Sequence, residues 1–175
     1  MKACFTGHRP NKLPGGYDYY SHQNIELGKR IRSACIDLIE NHSVDTFICG
    51  GAIGIDQMAF MVCNKLKQKY PHIKIVLAMP FENQAIKWPK ASQDILASHI
   101  KLADEVVLVD ELKEYGLKDI KTKIYHPAKM QKRNEYMVNN SDFVVAVWNG
   151  DTSGGTFNCI SYAKKKEKKI VEINI

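Results

Sequence analysis

Short apolar runs alternate with longer amphipathic stretches along this chain, and no other feature constrains its fold as strongly. Several runs are rich in Val, Ile and Phe and are continuously apolar, as expected of strands that are covered on both faces. The stretches between them repeat apolar residues at the spacing of a helix. We therefore predict an α/β fold with a mostly parallel central sheet flanked by helices on both faces. The predicted strands are residues 3–6, 46–49, 73–79, 105–109, 143–148 and 170–173.

Five helices are expected in the amphipathic stretches. They are predicted at residues 22–41, 55–69, 88–99, 128–140 and 155–168. Residues 110–125 are polar, charged and aperiodic. We interpret this segment as a long connection that is either mobile or able to close over a ligand.

Length and composition exclude several classes of protein. The chain has 175 residues, which is enough for one compact domain, and we expect residues 1–175 to form one. Apolar residues make up 45% and charged residues 25% of the sequence, as in ordinary globular proteins and unlike disordered or fibrous ones. No window approaches the roughly 20 apolar residues that span a bilayer. We expect a cytoplasmic protein with no membrane partner.

Cysteine usage and net charge restrict the chemistry further. The five cysteines are widely scattered and odd in number, which fits neither a disulfide scaffold nor a zinc ribbon. We expect reduced, mostly buried thiols, no bound metal and no cofactor. The 25 Lys and Arg residues exceed the 19 Asp and Glu residues by six. This excess suits an anionic partner, either a nucleotide or a nucleic acid.

The first two strands are followed by residues that suit an anion-binding site. Gly7, His8 and Arg9 follow the first strand, and a glycine-rich segment that ends at Asp56 follows the second. Ligands bind at the carboxyl ends of strands in open α/β sheets, and a glycine-rich helix start can hold an anion. A tight strand-to-helix turn is the alternative role for Gly50, Gly51 and Gly54. Asp56 is expected either to accept hydrogen bonds from ribose hydroxyls or to cap its helix.

A second glycine-rich helix start follows the fifth strand, at Gly154, Gly155 and Thr156. Two anion-competent helix starts at one sheet indicate a ligand that carries both phosphate and sugar. The preceding helix adds Arg133 and Asn134, of which the guanidinium is suited to bidentate recognition of phosphate. We expect Arg133 at the exposed rim of the site; the alternative is a surface Arg paired with Glu135 or Asp142.

The third strand is followed by Pro80, the aromatic Phe81 and the acidic Glu82, and then by the aromatic Trp88. The two aromatic rings either stack on a base or cover the core. His8 donates to phosphate, acts as an acid or base, or is only a structural hydrogen-bonding group. No Ser-His-Asp or Cys-His pairing and no zinc motif stands out, so no catalytic residue is assigned.

These motifs together resemble the YpsA-like family of the SLOG superfamily, which is named for the Smf/DprA and LOG proteins. The resemblance covers nearly the whole chain. The residues that carry it are Gly7-His8-Arg9-Pro10, Gly50-Gly51-Ala52-x-Gly54-x-Asp56, Pro80-Phe81 with Gln84 and Trp88, Arg133-Asn134-x-x-Met137, and Gly154-Gly155-Thr156 followed by Tyr162-Ala163. The resemblance implies a Rossmann-like domain that binds a nucleotide or nucleotide-derived molecule as a sensor, sequestering protein or regulator. It favours ADP-ribose-like and NAD-derived ligands, and it implies a homodimer.

Two other branches of the superfamily provide alternatives. LOG proteins, which are similar at the Arg133 helix and the Gly-Gly-Thr turn, cleave the N-glycosidic bond of nucleoside monophosphates with an Arg and a Glu. The position of that Glu holds Cys159 here, and a thiol does not replace a carboxylate beside a developing sugar cation. Smf/DprA proteins are similar at Gly51–Asp56 and act on single-stranded DNA. This chain lacks the aromatic and basic stripe that single-strand binding requires, so nucleic acid is the less favoured partner.

Overall fold

Six parallel strands form one sheet in the computed structural model, which describes residues Met1–Ile175. The strands are β1 Lys2–Gly7, β2 Thr46–Cys49, β3 Lys74–Met79, β4 Glu105–Leu108, β5 Phe143–Trp148 and β6 Lys169–Asn174. The helices are α1 His22–His42, α2 Ile55–Leu66, α3 Lys90–Leu102, α4 Pro127–Asn139 and α5 Gly154–Lys165. The predicted Rossmann-like α/β class is confirmed. None of these helices combines the length and the apolar character needed to cross a membrane.

Two hydrophobic clusters cover the two faces of the sheet. In β1, Ala3 and Phe5 belong to the larger cluster, which includes α1, α2 and Leu96 of α3. Cys4, which points to the opposite face, belongs to a second cluster with Met137 of α4. The alternation follows from the two-residue period of a strand. All five cysteines are buried and unpaired, as the sequence predicted.

The order of the strands fixes where the chain reverses direction across the sheet. The order is β4-β3-β2-β1-β5-β6. From β1 the chain proceeds outward through β2, β3 and β4, and α4 then returns it to β5 on the other side of β1. The carboxyl ends of β1 and β5 therefore form the switch point at which ligands bind in open α/β sheets.

All predicted helices and strands are present, with small shifts at their ends. The third helix begins at Lys90 and not at residue 88, because Pro89 disfavours helical geometry at Trp88. The second helix ends at Leu66, before Pro71, and not at residue 69.

The segment that joins β4 to α4 is held against α4. A short 3₁₀ helix, Val109–Glu111, opens it. The buried carboxylate of Asp110 accepts hydrogen bonds from Lys129 Nζ at 2.8 Å and from the backbone N–H of Lys123 at 3.0 Å. None of residues 110–125 lines the cavity at the switch point.

Candidate functional site

A cavity of about 390 Å³ opens at the carboxyl ends of β1 and β5. Its volume lies in the lower part of the range of small-molecule sites, about 300–1,000 Å³. Segments that follow β1, β2 and β5 form its wall together with α4. The structure brings together these residues predicted for the site: Gly7, His8, Arg9, Asp56, Arg133, Asn134, Gly154, Gly155 and Thr156.

A buried ion pair forms part of the cavity wall. Arg133 of α4 donates from Nη1 to Asp56 Oδ2 over 3.0 Å. The same Oδ2 accepts the backbone N–H of Ala52 at 3.3 Å. The expectation of an exposed Arg133 is wrong, since only 7% of the residue is exposed, and its partner is neither Glu135 nor Asp142. Arg133 Nε is buried without a hydrogen-bond partner.

The glycine turn after β2, residues 50–54 and here called the first glycine turn, supports this ion pair. A Cβ on Gly50 would lie 1.4 Å from Arg133 Nη1, so the guanidinium occupies the space that a side chain would need. Gly54 has a φ of +105°, and a Cβ there would lie 2.5 Å from the carbonyl oxygen of His8. A Cβ on Gly51 would contact core side chains, Leu77 and Leu96 among them. These three glycines do not line the cavity; they let its wall pack closely.

Several backbone N–H groups in and beside the first glycine turn are bonded within the protein. The N–H of Gly54 donates to Tyr19 Oη at 2.9 Å. The N–H of Ile55 donates to the carbonyl of His8 at 3.3 Å. The N–H groups of Ile53 and Asp56, two residues that line the cavity, have no acceptor in the protein, but the carboxylate of Asp56 already supplies negative charge at this helix start.

The glycine turn after β5, residues 150–155 and here called the second glycine turn, differs in this respect. The backbone N–H groups of Gly154, Gly155 and Thr156 have no acceptor in the protein. Ser153 occupies the N-cap position without a side-chain cap, and the first turn of α5 contains no acidic residue. Unpaired N–H groups at the positive end of a helix dipole form an anion-binding site.

The ring of His8 joins β1 to the second glycine turn. Its Nε2 lies 2.7 Å from Asn149 Oδ1 and accepts the backbone N–H of Asn149 at 3.3 Å. Nδ1 lies 3.5 Å from the hydroxyl of Thr156. His8 is 4% exposed. These bonds orient Thr156 at the cavity wall, which is the structural role considered for His8.

Cationic side chains surround the mouth of the cavity. Arg9 is exposed there and has no carboxylate within ion-pair distance. Neighbouring groups still desolvate its guanidinium, which lowers the pKa of Arg9, and the carboxylate of Asp56 partly opposes this shift. Lys12 pairs with Asp151. Three cations, Arg9, Lys12 and Arg133, and one carboxylate, Asp56, line the cavity and leave a net charge of +2.

The residues predicted after β3 do not line the cavity. Phe81 is 2% exposed and packs under Lys129 Nζ, 5.5 Å from its ring centre. Glu82 is exposed and pairs with Lys123 at 2.8 Å. Trp88 packs on the larger core cluster, and Pro80 is buried at the end of β3. The reason is the strand order, since β2 separates β3 from β1 and places their ends about 10 Å apart.

Cys159 lies beneath the cavity and not in its wall. It is 2% exposed and belongs to the cluster that packs under α4 and α5. Burial raises the pKa of its thiol to about 11, so the group is neutral at physiological pH. Among the cavity-lining residues, Asp56 alone carries a carboxylate.

Sequence reasoning did not assign several residues of the wall. They are Phe5, Thr6, Asn11, Lys12, Ala52, Ile53, Met130 and Ser153. Pro10 could have indicated that a short helix follows Arg9 and carries Lys12, because proline is favoured at the first position of a helix. The 3₁₀ helix Pro10–Lys12 does begin there. Ala52 and Ile53 lie between the glycines of a recognised motif.

Comparisons with known proteins identify the family of the chain. The model of the YspA SLOG family matches residues 3–175. Over 141 residues the chain is 40% identical to the uncharacterized SPbeta prophage-derived protein YoqJ of Bacillus subtilis strain 168, with 81% of this chain and 82% of that protein covered. A UPF0398 protein of Halalkalibacterium halodurans is 27% identical over 164 residues, with 94% of this chain and 80% of that protein covered. A UPF0398 protein of Shouchella clausii is 28% identical over 161 residues, with 91% and 79% covered.

Proposed function

Since the chain belongs to the YspA SLOG family, as its motifs predicted, we propose that it binds a nucleotide or nucleotide-derived molecule. It acts as a sensor, sequestering protein or regulator, and ADP-ribose-like and NAD-derived molecules are the favoured ligands. The cavity at the switch point, its net positive charge and its mixed polar and apolar wall support this proposal.

The first turn of α5 is the observation that carries the proposal. Its unpaired backbone N–H groups line the cavity at Gly154, Gly155 and Thr156. Arg9, without a carboxylate partner, lines the same cavity. Backbone donors at a helix start and a free guanidinium are the groups that bind phosphate oxygens most strongly.

The rest of the wall favours a ligand larger than inorganic phosphate. Phe5, Ala52, Ile53 and Met130 are its apolar members. Apolar surface of this kind suits the sugar and base of a nucleotide, because small-molecule sites combine apolar walls with a few polar groups that fix orientation.

Binding without turnover is the form of the function that we propose. Phosphoribohydrolase activity needs a carboxylate beside the sugar at the position of Cys159, and Cys159 is a buried neutral thiol. A neutral group there does not stabilise a developing sugar cation.

Replacement of Arg9 by alanine tests the proposal. Arg9 is exposed and unpaired, so Arg9→Ala should leave the fold and Tm unchanged. It should weaken binding of ADP-ribose or AMP by about 10- to 100-fold, as expected for the loss of a hydrogen bond between charged groups. Isothermal titration calorimetry with AMP, ADP-ribose, NAD and cyclic ADP-ribose measures the effect. Arg30→Ala is the matched control, since Arg30 is an exposed residue of α1 outside the cavity.

Three results would contradict the proposal. The first is that none of the four nucleotides binds, and the second is that Arg9→Ala binds them as tightly as the parent protein. The third is tight binding of single-stranded DNA that collapses with added salt and that AMP does not compete with, because such salt dependence reports release of counterions from a nucleic acid.

A further inference from the structure

Asp56 has one carboxylate oxygen that is not used by the protein. Oδ2 accepts both the Arg133 guanidinium and the N–H of Ala52. Oδ1 makes no hydrogen bond within the protein, and protein atoms do not enclose it. Since Asp56 lines the cavity, Oδ1 is an acceptor available to a ligand.

Oδ1 requires a ligand group that can donate a hydrogen bond. Arg133 holds the carboxylate in place through Nη1, while its Nε is enclosed by the protein and out of a ligand's reach. A hydroxyl group fits, because it can donate to Oδ1. A phosphate oxygen does not fit, because it cannot donate and the carboxylate repels it.

The spacing of the sheet indicates which part of a nucleotide reaches this position. Asp56 follows β2 and the phosphate-binding N–H groups follow β5, with β1 between the two strands. Two strand spacings place these two helix starts about 10 Å apart. Hydrogen bonds of about 3 Å at each end leave roughly 4 Å or more between the ligand atoms. The ribose hydroxyls are the hydrogen-bond donors of a nucleotide nearest to its 5′-phosphate, the 3′-hydroxyl nearest of all, whereas the polar edge of the base is farther away.

We propose that Asp56, held in place by Arg133, binds a ribose hydroxyl of the nucleotide, so that the site selects ribonucleotides over deoxyribonucleotides. This inference rests on the proposed function, since it takes the phosphate to lie at α5. It assigns the buried ion pair to recognition of the sugar, and Arg9 and the second glycine turn to recognition of the phosphate.

Titration of three nucleotides into the unmodified protein tests the inference without any change to the fold. AMP, 2′-deoxy-AMP and 3′-deoxy-AMP share phosphate and base. We expect at least one deoxy analogue to bind about 10- to 100-fold more weakly than AMP, because its loss of a hydroxyl leaves buried polar groups of the site unpaired. Deoxy analogues that both bind within twofold of AMP would overturn the inference and leave the proposed function standing. Failure of AMP and both analogues to bind would overturn the inference, and failure of ADP-ribose, NAD and cyclic ADP-ribose as well would overturn the proposed function.

Asp56→Asn adds a test of the residue itself. The amide has the shape of the carboxylate but accepts a weaker hydrogen bond, so the ratio of AMP to deoxy-AMP affinity should fall by about tenfold. Glu82→Gln, at an exposed carboxylate outside the cavity, should leave the ratio unchanged. An unchanged ratio in Asp56→Asn would overturn the assignment to Asp56. If that variant does not fold, the titrations of the unmodified protein decide.

Discussion

The first and second glycine turns have similar sequences but differ in the charge at the helix that each begins. Both join a parallel strand to a helix, α2 in one case and α5 in the other. The first turn of α2 contains its own carboxylate, Asp56, whereas the first turn of α5 contains no acidic residue. A helix start attracts negative charge, and in α2 the protein supplies that charge internally. In α5 an external anion can supply it.

The comparison shows that a glycine-rich helix start is not by itself a phosphate site. Internal packing requires the glycines of the first glycine turn, since a Cβ on Gly50 or Gly54 would lie within 2.5 Å of protein atoms. A Cβ on Gly154 or Gly155 would meet no atom within 4 Å. The first glycine turn therefore positions Arg133, and the second glycine turn leaves its backbone open to a ligand.

Gly50→Ala should have the largest effect on the free energy of unfolding. The new methyl group would displace the Arg133 guanidinium from Asp56 and leave a buried charge without its partner. Breaking a buried ion pair costs about 3–5 kcal/mol. Urea denaturation measures the loss of unfolding free energy. A loss below about 1 kcal/mol would show that the first glycine turn tolerates a side chain.

A double variant identifies the cause of that loss. Arg133→Ala breaks the same ion pair, so it should destabilise the protein by a similar amount. Because both changes remove one interaction, Gly50→Ala combined with Arg133→Ala should cost little more than the larger single change. Additive losses would indicate that Gly50 acts through some other contact.

The fold was predictable from the sequence because its signals are local. Continuous apolar runs such as Phe143–Trp148 and apolar residues at helical spacing in α1 depend on neighbours within a few positions. The second glycine turn was predictable for the same reason. Its open N–H groups follow from a glycine-rich helix start that has no acidic residue in its first turn.

The internal bonding of the site was not predictable, because it depends on residues that are distant in the sequence. Arg133 and Asp56 are separated by 77 positions, whereas Glu135 and Asp142 were nearer candidate partners. The strand order places Phe81 and Trp88 outside the cavity, and that order cannot be predicted from the spacing of the motifs along the sequence. The shared motif of Gly50, Gly51 and Gly54 did not reveal whether its glycines face a ligand or the interior.

Gly155→Ala, in the second glycine turn, should weaken ligand binding without lowering stability. Gly155 has no positive φ and no atoms near the position of a Cβ, so alanine should leave stability unchanged or raise it by about 0.4–1 kcal/mol. The methyl group should weaken binding of ADP-ribose by about tenfold, since it obstructs a charge-assisted bond to phosphate. Thermal unfolding and calorimetry measure the two effects. Gly54→Ala is the contrasting variant and should lose stability; equal behaviour of the two variants would remove the distinction between the turns.

Exchange of Asp151 for Asn in the second glycine turn changes only a charge and should have the smallest effect. Asp151 is bonded to Lys12 and accepts the N–H of Ser153 at 3.1 Å. These bonds, that of Lys12 foremost, lower the pKa of Asp151 to about 2, so the carboxylate stays ionised and competes with a ligand phosphate for Lys12. Asp151→Asn keeps an oxygen for Ser153 and removes the competing charge.

Affinity for AMP should therefore rise in Asp151→Asn, by roughly twofold to fivefold, the scale of an exposed ion pair. The gain should shrink as salt is added, because the charges are exposed and screened. Stability should change little, whereas Asp56→Asn in the first turn should be destabilising, since it removes the charge that pairs with buried Arg133. Titrations of AMP at low and high salt provide the measurement. An unchanged or lower affinity at low salt would mean that Lys12 does not contact the phosphate, and recognition would then rest on Arg9 and the backbone of α5.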